Sequence, residues 1–308
     1  MVLLYPLLDK SMIPMNNATV KKMKGNLEGS TIIITGASSG IGKELAIILA
    51  SKKPNLVIVA RREKKIKQVA YQLKKMKIKV LPIVGDVRNR EDRQRILDLT
   101  IKAFGRVDVL VNNAGLGKVS LFIEQPEEEI DELIETNFLA LVKMTQLILP
   151  IMKEQGGGHI INLSSTLALI LPYPFAVYNA TKSAVKTFSD SLREEVKNYG
   201  IAVSTVLPGP YNTNFHKVAN VGSGSFKVYN VTKLAKKVAK LIIKPKRDLI
   251  KPNIFIALTW ITNLFPKLKR MISVKIGDQI LKAKEETKKE LEKERLKLEK
   301  EKIVVVSN

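Results

Sequence analysis

The sequence predicts an α/β fold built on a doubly wound parallel sheet, with a C-terminal helical extension. Three observations predict it. Short β-branched runs alternate with longer helix-forming segments, which is typical of parallel strands buried on both faces. The first run, Thr31–Thr35, leads directly into a glycine-rich turn and a helix-forming segment. Several later runs end in small or polar residues, at the sheet edge where such folds bind ligands.

The turn after the first strand has the composition of a dinucleotide site. It reads Gly36-Ala37-Ser38-Ser39-Gly40-Ile41-Gly42. Glycines permit a tight turn and let the backbone approach a pyrophosphate, whose charge meets the N-terminus of the next helix. A glycine pattern alone is weak evidence, but its position between a strand and a helix predicts nucleotide binding.

The end of the second predicted strand bears on the choice of cofactor. The strand Asn55–Ala60 is followed by Arg61 and Arg62, whereas an NAD site usually carries a carboxylate there for the ribose 2′-hydroxyl. A guanidinium suits a 2′-phosphate, with charge-assisted hydrogen bonds of about 1.5–3 kcal/mol. We therefore expect NADP(H). The alternative is a solvated arginine pair that opens a basic helix.

Three later strands end in similar clusters at the carboxyl edge of the sheet. The strand at 80–84 is followed by Gly85-Asp86-Val87, and the strand Val107–Val111 by Asn112-Asn113-Ala114-Gly115. The sixth strand, Ile201–Val206, runs into Leu207-Pro208-Gly209-Pro210-Tyr211-Asn212-Thr213. Parallel strands bring these clusters to one side of the sheet, so we expect them to border the same ligand site.

Tyr178 and Lys182 are the candidate catalytic pair. Apolar residues recur at helical spacing in Ala180–Lys197, which places the two side chains one turn apart on one face. A free tyrosine has a pKa of about 10, and an ammonium group nearby is expected to lower it, giving an acid/base usable at neutral pH. Ser165 ends the preceding strand and could hold a substrate oxygen. Because such pairs also occur on many solvated helices, the pair alone does not establish catalysis.

A long helical stretch precedes that strand and carries one unusual residue. The stretch Glu127–Gln155 has an apolar face that contains Thr136 and Asn137. Asparagine is a poor helix-interior residue, which indicates a specific role or a backbone kink at this point.

Composition excludes several classes of site. The chain has 308 residues, no cysteine and two histidines, so disulfides, thiolate metal ligands and cysteine nucleophiles are excluded and no metal site is expected. No apolar run approaches the 18 residues of a spanning helix, and the start at Val2–Leu8 is too short for a secretory signal. We expect a cytoplasmic protein. The net charge of +23 fits nucleic acid, an anionic membrane, a phosphorylated ligand or a lysine-biased composition.

The C-terminal third concentrates that charge. Residues 217–275 contain fourteen Lys and Arg and one acid, together with a twelve-residue apolar run, Ile254–Phe265, that holds the only tryptophan. This combination predicts peripheral contact with an anionic membrane; the alternative is that the run packs back as a pocket lid or dimer contact. An amphipathic helix is predicted at Thr232–Ile243, with Thr232 as its cap. The charged stretch Lys282–Lys302 is expected to be a solvated helix or disordered.

Together these motifs resemble the short-chain dehydrogenase/reductase family, in order and spacing, over about residues 27–215. The resemblance implies a Rossmann sheet of about seven strands and hydride transfer between a nicotinamide and a carbonyl or alcohol. It makes Tyr178 the general acid in reduction and Lys182 a ligand of the nicotinamide ribose. Ser165 would orient the carbonyl, and Asn137 would support a proton relay to Lys182. The implied cofactor-binding residues are Gly36, Ser38, Ser39, Gly40, Ile41, Gly42, Arg61, Arg62, Asp86, Val87, Asn113, Ala114, Gly115, Tyr178, Lys182, Pro208, Gly209 and Thr213.

We divide the chain into four predicted parts: an N-terminal arm (1–26), the NADP-binding catalytic domain (27–215), a substrate-side lid with the basic and apolar segment (216–280), and a charged tail (281–308). The predicted function is NADP(H)-dependent reduction of a ketone or aldehyde, or oxidation of the corresponding alcohol, on a lipid-like substrate of 3-oxoacyl, steroid or retinoid type. A homodimer or homotetramer is expected. One alternative is a nucleic-acid-binding protein, but the sequence contains no nucleic-acid recognition motif. Another is an NADP sensor without turnover.

Overall fold

The fold was analysed in a computed structural model, which describes residues 26–213 and 228–306, without the side chains of residues 290, 291 and 294–306. The predicted N-terminal arm, His216 and most of the polar loop after Asn212 lie outside the described residues. The strands are β1 (Thr31–Thr35), β2 (Asn55–Ala60), β3 (Val80–Val84), β4 (Val109–Asn112), β5 (Gly158–Leu163), β6 (Ile201–Pro208) and β7 (Asp248–Lys251). The helices are α1 (Gly40–Ala50), α2 (Glu63–Lys75), α3 (Arg90–Phe104), α4 (Glu127–Glu154), α5 (Leu167–Ile170), α6 (Ala176–Val196), α7 (Val231–Ile243), α8 (Ile254–Leu264) and α9 (Pro266–Val306).

The seven strands form one parallel sheet in the order β3-β2-β1-β4-β5-β6-β7. This confirms the predicted doubly wound sheet. β1 pairs with β2 on one side and with β4 on the other. The chain therefore builds the sheet outward from β1 to β3, then crosses back to β4 and builds it outward in the opposite direction to β7. The two halves diverge between β1 and β4, and a crevice at such a switch point is where open α/β sheets bind ligands.

A hydrophobic cluster covers each face of the sheet. On one face, Leu45 and Leu49 of α1 and Val238 of α7 pack with side chains of β1 and β2. On the other face, Ile148 of α4 and Leu192 of α6 pack over side chains of the central strands. Both faces are dry, which explains why the strands are continuous β-branched runs rather than alternating patterns.

Strand β4 and helix α6 differ in extent from their sequence prediction. β4 begins at Val109 rather than at Val107, because the Gln155 side chain bonds both the N–H and the C=O of Val107, each at 2.9 Å. α6 begins at Ala176, so Tyr178 lies inside its first turn rather than ahead of the helix.

The predicted cap of α7 is corrected. Asn230, not Thr232, caps the helix, and its side-chain oxygen accepts from the backbone N–H of Thr232 at 2.8 Å. The Thr232 hydroxyl instead donates to Glu44 of α1 at 2.9 Å. Thr232 therefore ties α7 to α1 across the layer.

The long helix α4 contains the predicted backbone irregularity. Its central residues Glu135–Leu139 form a π-helical turn around Asn137, a feature that is frequent at functional sites. By length and composition α4 could cross a membrane, with a mean hydropathy of 1.2. Its inward residues Met144, Ile148 and Met152 are fully buried against the sheet, so we interpret it as a core helix.

Elements beyond residue 215 complete the domain. β7 pairs with β6, and α7 packs beside α1, so the sheet and its helical layer extend past the predicted boundary. The apolar run forms helix α8. The charged stretch is one continuous helix with the residues before it, α9, which crosses the predicted boundary at residue 281.

Candidate active site

A cavity of about 560 Å³ opens at the carboxyl edge of the sheet, over the switch point between β1 and β4. Residues from the ends of β1 to β6 line it, as the strand-end argument predicted. All of the predicted site residues line this cavity except Gly42 and Asn137. The structure therefore brings together motifs that are spread over almost 180 residues of sequence.

Tyr178, Ser165 and Lys182 meet in the middle of this cavity, and all three are buried. Ser165 and Tyr178 are joined by a side-chain hydrogen bond. The Lys182 Nζ lies 5.9 Å from the centre of the Tyr178 ring and donates to the backbone oxygen of Leu163 at 3.0 Å. Ser164, which the sequence did not single out, donates to the backbone oxygen of Lys182 at 2.7 Å and fixes α6 against the end of β5.

The expected lowering of the Tyr178 pKa by Lys182 is wrong for this structure. Burial raises the pKa of Tyr178 to about 12, and the hydrogen bond with Ser165 only partly offsets that rise. Burial also lowers the pKa of Lys182 to about 8. Both shifts have one cause, because burial disfavours the charged form of either group.

Asn137 lies behind the cavity wall rather than in it. Its side chain exchanges two hydrogen bonds with the backbone of Leu116, both at 2.9 Å, and donates to Thr181 at 3.3 Å. No hydrogen bond joins Asn137 to Lys182 in the described structure. The neighbouring Thr136 does line the cavity, and its buried hydroxyl has no hydrogen-bond partner among the described residues.

The glycine turn is locked to the end of β4. The Thr35 hydroxyl accepts from the backbone N–H groups of Asn113 and Ala114, both at 3.0 Å, and the Asn113 amide donates to the Thr35 oxygen at 2.8 Å. A Cβ on Gly36 would lie 2.9 Å from the Ala114 Cα, and Gly36 has φ +67°. Gly36 is therefore required by this contact as well as by the turn. Thr35 is a site residue that the sequence analysis missed.

The two arginines after β2 have different surroundings. The Arg62 guanidinium donates to the hydroxyls of Ser38 and Ser39 at 2.9 and 2.7 Å, at the rim of the glycine turn. Arg61 lies 3.7 Å from Asp86 and 3.8 Å from Glu132, so nearby carboxylates balance its charge. Of the pair, Arg62 is the cation available to an anionic group at the glycine turn.

The far end of the cavity is apolar and is closed by the C-terminal helices. Ile276, Gln279 and Ile280 of α9 and Phe255 of α8 line it, opposite α5 and the start of α6. Ile280 packs in one cluster with Phe175 and Tyr178. These α8 and α9 residues carry no motif, and only their docking in the fold reveals them.

Close contacts hold α9 in this position. A Cβ on Gly277 would lie 2.3 Å from the Tyr173 ring, so the helix approaches this loop as closely as a glycine allows. The Tyr173 hydroxyl hydrogen-bonds Asp278, and the Ser273 hydroxyl donates to the Ile170 oxygen at 2.5 Å. Farther along, Lys284 donates to the Val119 oxygen at 2.7 Å.

A model of the short chain dehydrogenase family matches residues 30–223, which include the whole constellation around Tyr178. The chain belongs to this family. It is therefore an oxidoreductase with a nucleotide-binding Rossmann sheet. The family match ends before α7, so α8 and α9, which close the cavity, lie outside it.

Relatives and solved structures support this membership. The chain is 39% identical over 186 residues to an 11-beta-hydroxysteroid dehydrogenase of Pinus massoniana, covering 60% of this chain and 52% of the relative. A 3-ketoacyl-(acyl-carrier-protein) reductase from Brucella melitensis, complexed with NADH, is 27% identical with a TM-score of 0.68 over 73% of this chain and 98% of that one. A short-chain dehydrogenase from Sphingobium yanoikuyae, in complex with NADPH, is 27% identical with a TM-score of 0.69 over 77% and 95%.

Two features of the cavity, apart from the family match, fit a bound dinucleotide. Ser39, the N-cap of α1, makes no side-chain capping bond, so the N–H groups at the helix start are left for a ligand anion. Gly40 has φ +57°, and a Cβ added to it would lie 3.4 Å from the Thr213 side chain. The glycine turn therefore passes close to the segment that follows β6. Which nicotinamide cofactor this chain uses is a separate question, because the similar structures include complexes with both NADH and NADPH.

Proposed function

We propose that this short-chain dehydrogenase is an NADP(H)-dependent carbonyl reductase that acts on an apolar, lipid-like ketone or aldehyde. The observation that carries the proposal is the buried Tyr178 hydroxyl, hydrogen-bonded with Ser165 beside Lys182 in a cavity with an apolar far end. A proton donor and a second hydroxyl at one point can hold and protonate a carbonyl oxygen.

In this mechanism each side chain has one task. The bound nicotinamide would supply the hydride. Ser165 donates a hydrogen bond that holds the carbonyl oxygen, and Tyr178 gives its proton to that oxygen as negative charge develops there. Lys182 provides positive charge beside the tyrosinate that is left. Asn137 acts as a positioning residue that fixes the backbone at Leu116 and Thr181 next to this pair.

The protonation state of Tyr178 suits the role of proton donor. Burial raises its pKa to about 12, so the hydroxyl carries its proton at neutral pH. The reverse reaction, oxidation of an alcohol, uses the tyrosinate at the same position. The pKa therefore supports Tyr178 as the group that exchanges a proton with the substrate oxygen, and the direction of net turnover follows from the concentrations of substrate, product and cofactor.

Preference for NADPH is supported by Arg62. Its guanidinium stands against Ser38 and Ser39 at the glycine turn, where the adenosine ribose of a dinucleotide lies in this type of fold. Ala60 ends β2 where an NAD site would usually place a carboxylate. The remaining predicted cofactor contacts, including Asp86, Val87, Pro208, Gly209 and Thr213, belong to the same proposal.

The substrate class is supported by the wall of the cavity. Leu167, Ile170, Phe175, Ile276 and Ile280 are all apolar, and among the described lining residues of α8 and α9 only Gln279 is polar. Such a wall suits a 3-oxoacyl chain, a steroid or a retinoid rather than a sugar. Two similar proteins have names of this kind, a hydroxysteroid dehydrogenase and a 3-ketoacyl reductase.

We also propose that the protein is cytoplasmic and forms a homodimer or homotetramer, as expected from the sequence. Light scattering of the purified chain measures the assembly. Contact with a membrane is a separate proposal that depends on a different set of residues.

A panel of carbonyl compounds tests the function. NADPH oxidation is followed with steroid ketones, 3-oxoacyl thioesters, retinal and small polar ketones. The proposal predicts turnover with at least one large apolar carbonyl and little with small polar ones. NADPH binding without turnover of any carbonyl would favour the sensor alternative, and no NADPH binding would contradict the proposal altogether.

A further inference from the structure

Helices α8 and α9 leave a large apolar surface exposed. Eight side chains form it, and we call them the outer face: Ile254, Ile256, Trp260, Ile261, Leu264, Phe265, Met271 and Val274. Leu264, Met271 and Ile254 are exposed to 68%, 65% and 63%. Contiguous apolar surfaces of this kind mark interaction sites on soluble proteins.

The outer face follows from how the two helices dock. In α8 the inward residues are Phe255, which lines the cavity, and Thr262, which is 1% exposed. In α9 the inward residues include Ile276 and Ile280, which also line the cavity. The outer face occupies the opposite side of the same helices. Each helix therefore presents one apolar side to the cavity and another to solvent.

Cations flank the outer face without acidic partners. Lys267, Lys269, Arg270 and Lys275 follow or lie within it, and no acidic residue occurs between Ile254 and Lys275. Within residues 26–213 and 228–306 none of these four forms an ion pair, whereas Lys186 and Arg193 of α6 pair with Asp190. Apolar side chains beside unpaired cations are the composition of helices that lie in a membrane interface.

The geometry fits a surface contact and not a span. α8 has eleven residues and is about 16 Å long, roughly half of the hydrocarbon thickness of a bilayer. Trp260 on the outer face is of the aromatic type that favours the headgroup level, and Phe265 is typical of the apolar side of an interfacial helix.

Other occupants of the outer face are disfavoured by charge. A second copy docking there by two-fold symmetry would bring two sets of the same four cations together. Residues 1–25, which precede the described part of the chain, carry four lysines and one aspartate, so they also repel these cations. An anionic lipid surface attracts the cations and accepts the apolar side chains.

We propose that the outer face is a docking surface for an anionic lipid bilayer. It seats α8 and the start of α9 in the headgroup region and places the cavity, on the other side of the same helices, next to the membrane. A lipid-like substrate would then reach Tyr178 from the bilayer rather than from water. Attachment does not depend on turnover, so this proposal can fail while the proposed function stands.

Trp260 is the only tryptophan in the chain and reports directly on the outer face. The full chain is mixed with vesicles of phosphatidylcholine alone, or of phosphatidylcholine with phosphatidylserine, at low and high salt. We expect co-sedimentation and a blue shift of the Trp260 emission with the anionic vesicles at low salt. High salt should reverse both, because headgroup attraction decays within a Debye length.

Matched variants distinguish vesicle binding through the outer face from binding through the overall positive charge of the protein. Lys267→Gln/Lys269→Gln/Arg270→Gln should weaken vesicle binding by about a hundredfold, on the basis of about 1 kcal/mol per cation. Lys52→Gln/Lys74→Gln/Lys79→Gln makes the same charge change at exposed sites next to β2 and β3, at the opposite end of the sheet from β7, and should bind like the parent. An apolar pair, Leu264→Gln/Met271→Gln, should weaken binding at least about tenfold. Its control is Tyr71→Gln/Met76→Gln, at exposed apolar positions in and just after α2.

Three results would overturn the proposal: the parent stays in the supernatant with anionic vesicles at low salt, the control triple loses as much binding as the test triple, or binding leaves the Trp260 emission unchanged. A blue shift that depends on protein concentration and not on vesicles would assign the face to a second copy instead. Because all of the substituted side chains except the half-buried Lys269 are exposed, the variants should melt like the parent, which is checked first.

Discussion

At the scale of single residues, burial decides the electrostatics of the site. The sequence places Lys182 one turn from Tyr178, and spacing alone suggests that an ammonium group lowers the tyrosine pKa. The structure instead buries both groups, which raises the pKa of Tyr178 and lowers that of Lys182. Sequence spacing reveals which groups meet. It does not reveal how deeply they are buried.

Lys182 should therefore cost folding stability. Its pKa is about 8 in the folded protein against 10.5 in the unfolded chain, so burying the charged form disfavours folding below pH 8 by about 3 kcal/mol. Lys182→Met should raise the free energy of unfolding at pH 7 by about 1–3 kcal/mol, after the lost bond to Leu163 is allowed for.

The pH dependence of folding stability tests whether the buried charge of Lys182 destabilises the fold. Between pH 8 and 10 the unfolded parent binds more protons than the folded parent, so parent stability rises with pH and the advantage of the variant shrinks. The measurement is chemical denaturation of both proteins at several pH values from 7 to 10. A difference that does not change over this range would contradict the buried-charge account.

Arg62 should control the choice between NADPH and NADH. Arg62→Ala removes the cation that faces Ser38 and Ser39, so the KM for NADPH should rise about tenfold to a hundredfold while that for NADH changes little. Lys64→Ala, which removes an exposed cation of α2 that does not line the cavity, is the control. Arg61→Ala should have a smaller effect than Arg62→Ala, since Asp86 and Glu132 already balance that charge. Equal use of both cofactors by the parent protein, or a larger effect in the control, would show that Arg62 does not read the 2′-phosphate.

At the scale of elements, the close approach of α9 shapes the far end of the cavity. Gly277→Ala would place a Cβ 2.3 Å from the Tyr173 ring, and overpacking of this kind typically costs about 1–3 kcal/mol. The helix should shift away from the loop at Tyr173 and carry Ile276 and Ile280 with it. We expect a higher KM for the carbonyl substrate, an unchanged Kd for NADPH, and faster amide exchange in α9.

Lys275→Ala, an exposed change two residues earlier in the same helix, is the control for that experiment. If Gly277→Ala leaves both the substrate KM and the exchange of α9 at parent values, α9 does not form the substrate wall.

Local sequence patterns predicted the elements well wherever local chemistry defines them. β-branched runs and the glycine turn located the sheet and its ligand edge, and Asn137 indicated a backbone irregularity, which the structure shows as a π-helical turn. Two features depend on tertiary contacts: Gln155 delays the start of β4, and docking of α9 decides which residues of the predicted lid line the cavity. The cap of α7 is a local bond that was assigned to the wrong residue, since Asn230 rather than Thr232 makes it. No motif marks Ile276 or Ile280, because only docking makes them part of the cavity.

At the scale of the whole molecule, the family match covers the predicted catalytic residues, and the C-terminal helices lie beyond it. The family match ends at residue 223, while α8 and α9 close the cavity and bear the outer face. We propose that this division assigns the chemistry to the part that the family shares, and the substrate and location to the part that follows it. The high net charge is then partly explained by the cations beside the outer face.

The central claim is that Tyr178 protonates a carbonyl oxygen while a hydride from NADPH reaches the carbonyl carbon. The most direct measurement uses NADPH deuterated on C4 of the nicotinamide and the best carbonyl of the panel. The parent should deliver deuterium to the carbinol carbon of the product. Tyr178→Phe should bind NADPH with a similar Kd and transfer at least about a hundredfold less deuterium, because its general acid is lost. Transfer by Tyr178→Phe at the parent rate, or a parent product without deuterium, would contradict the account.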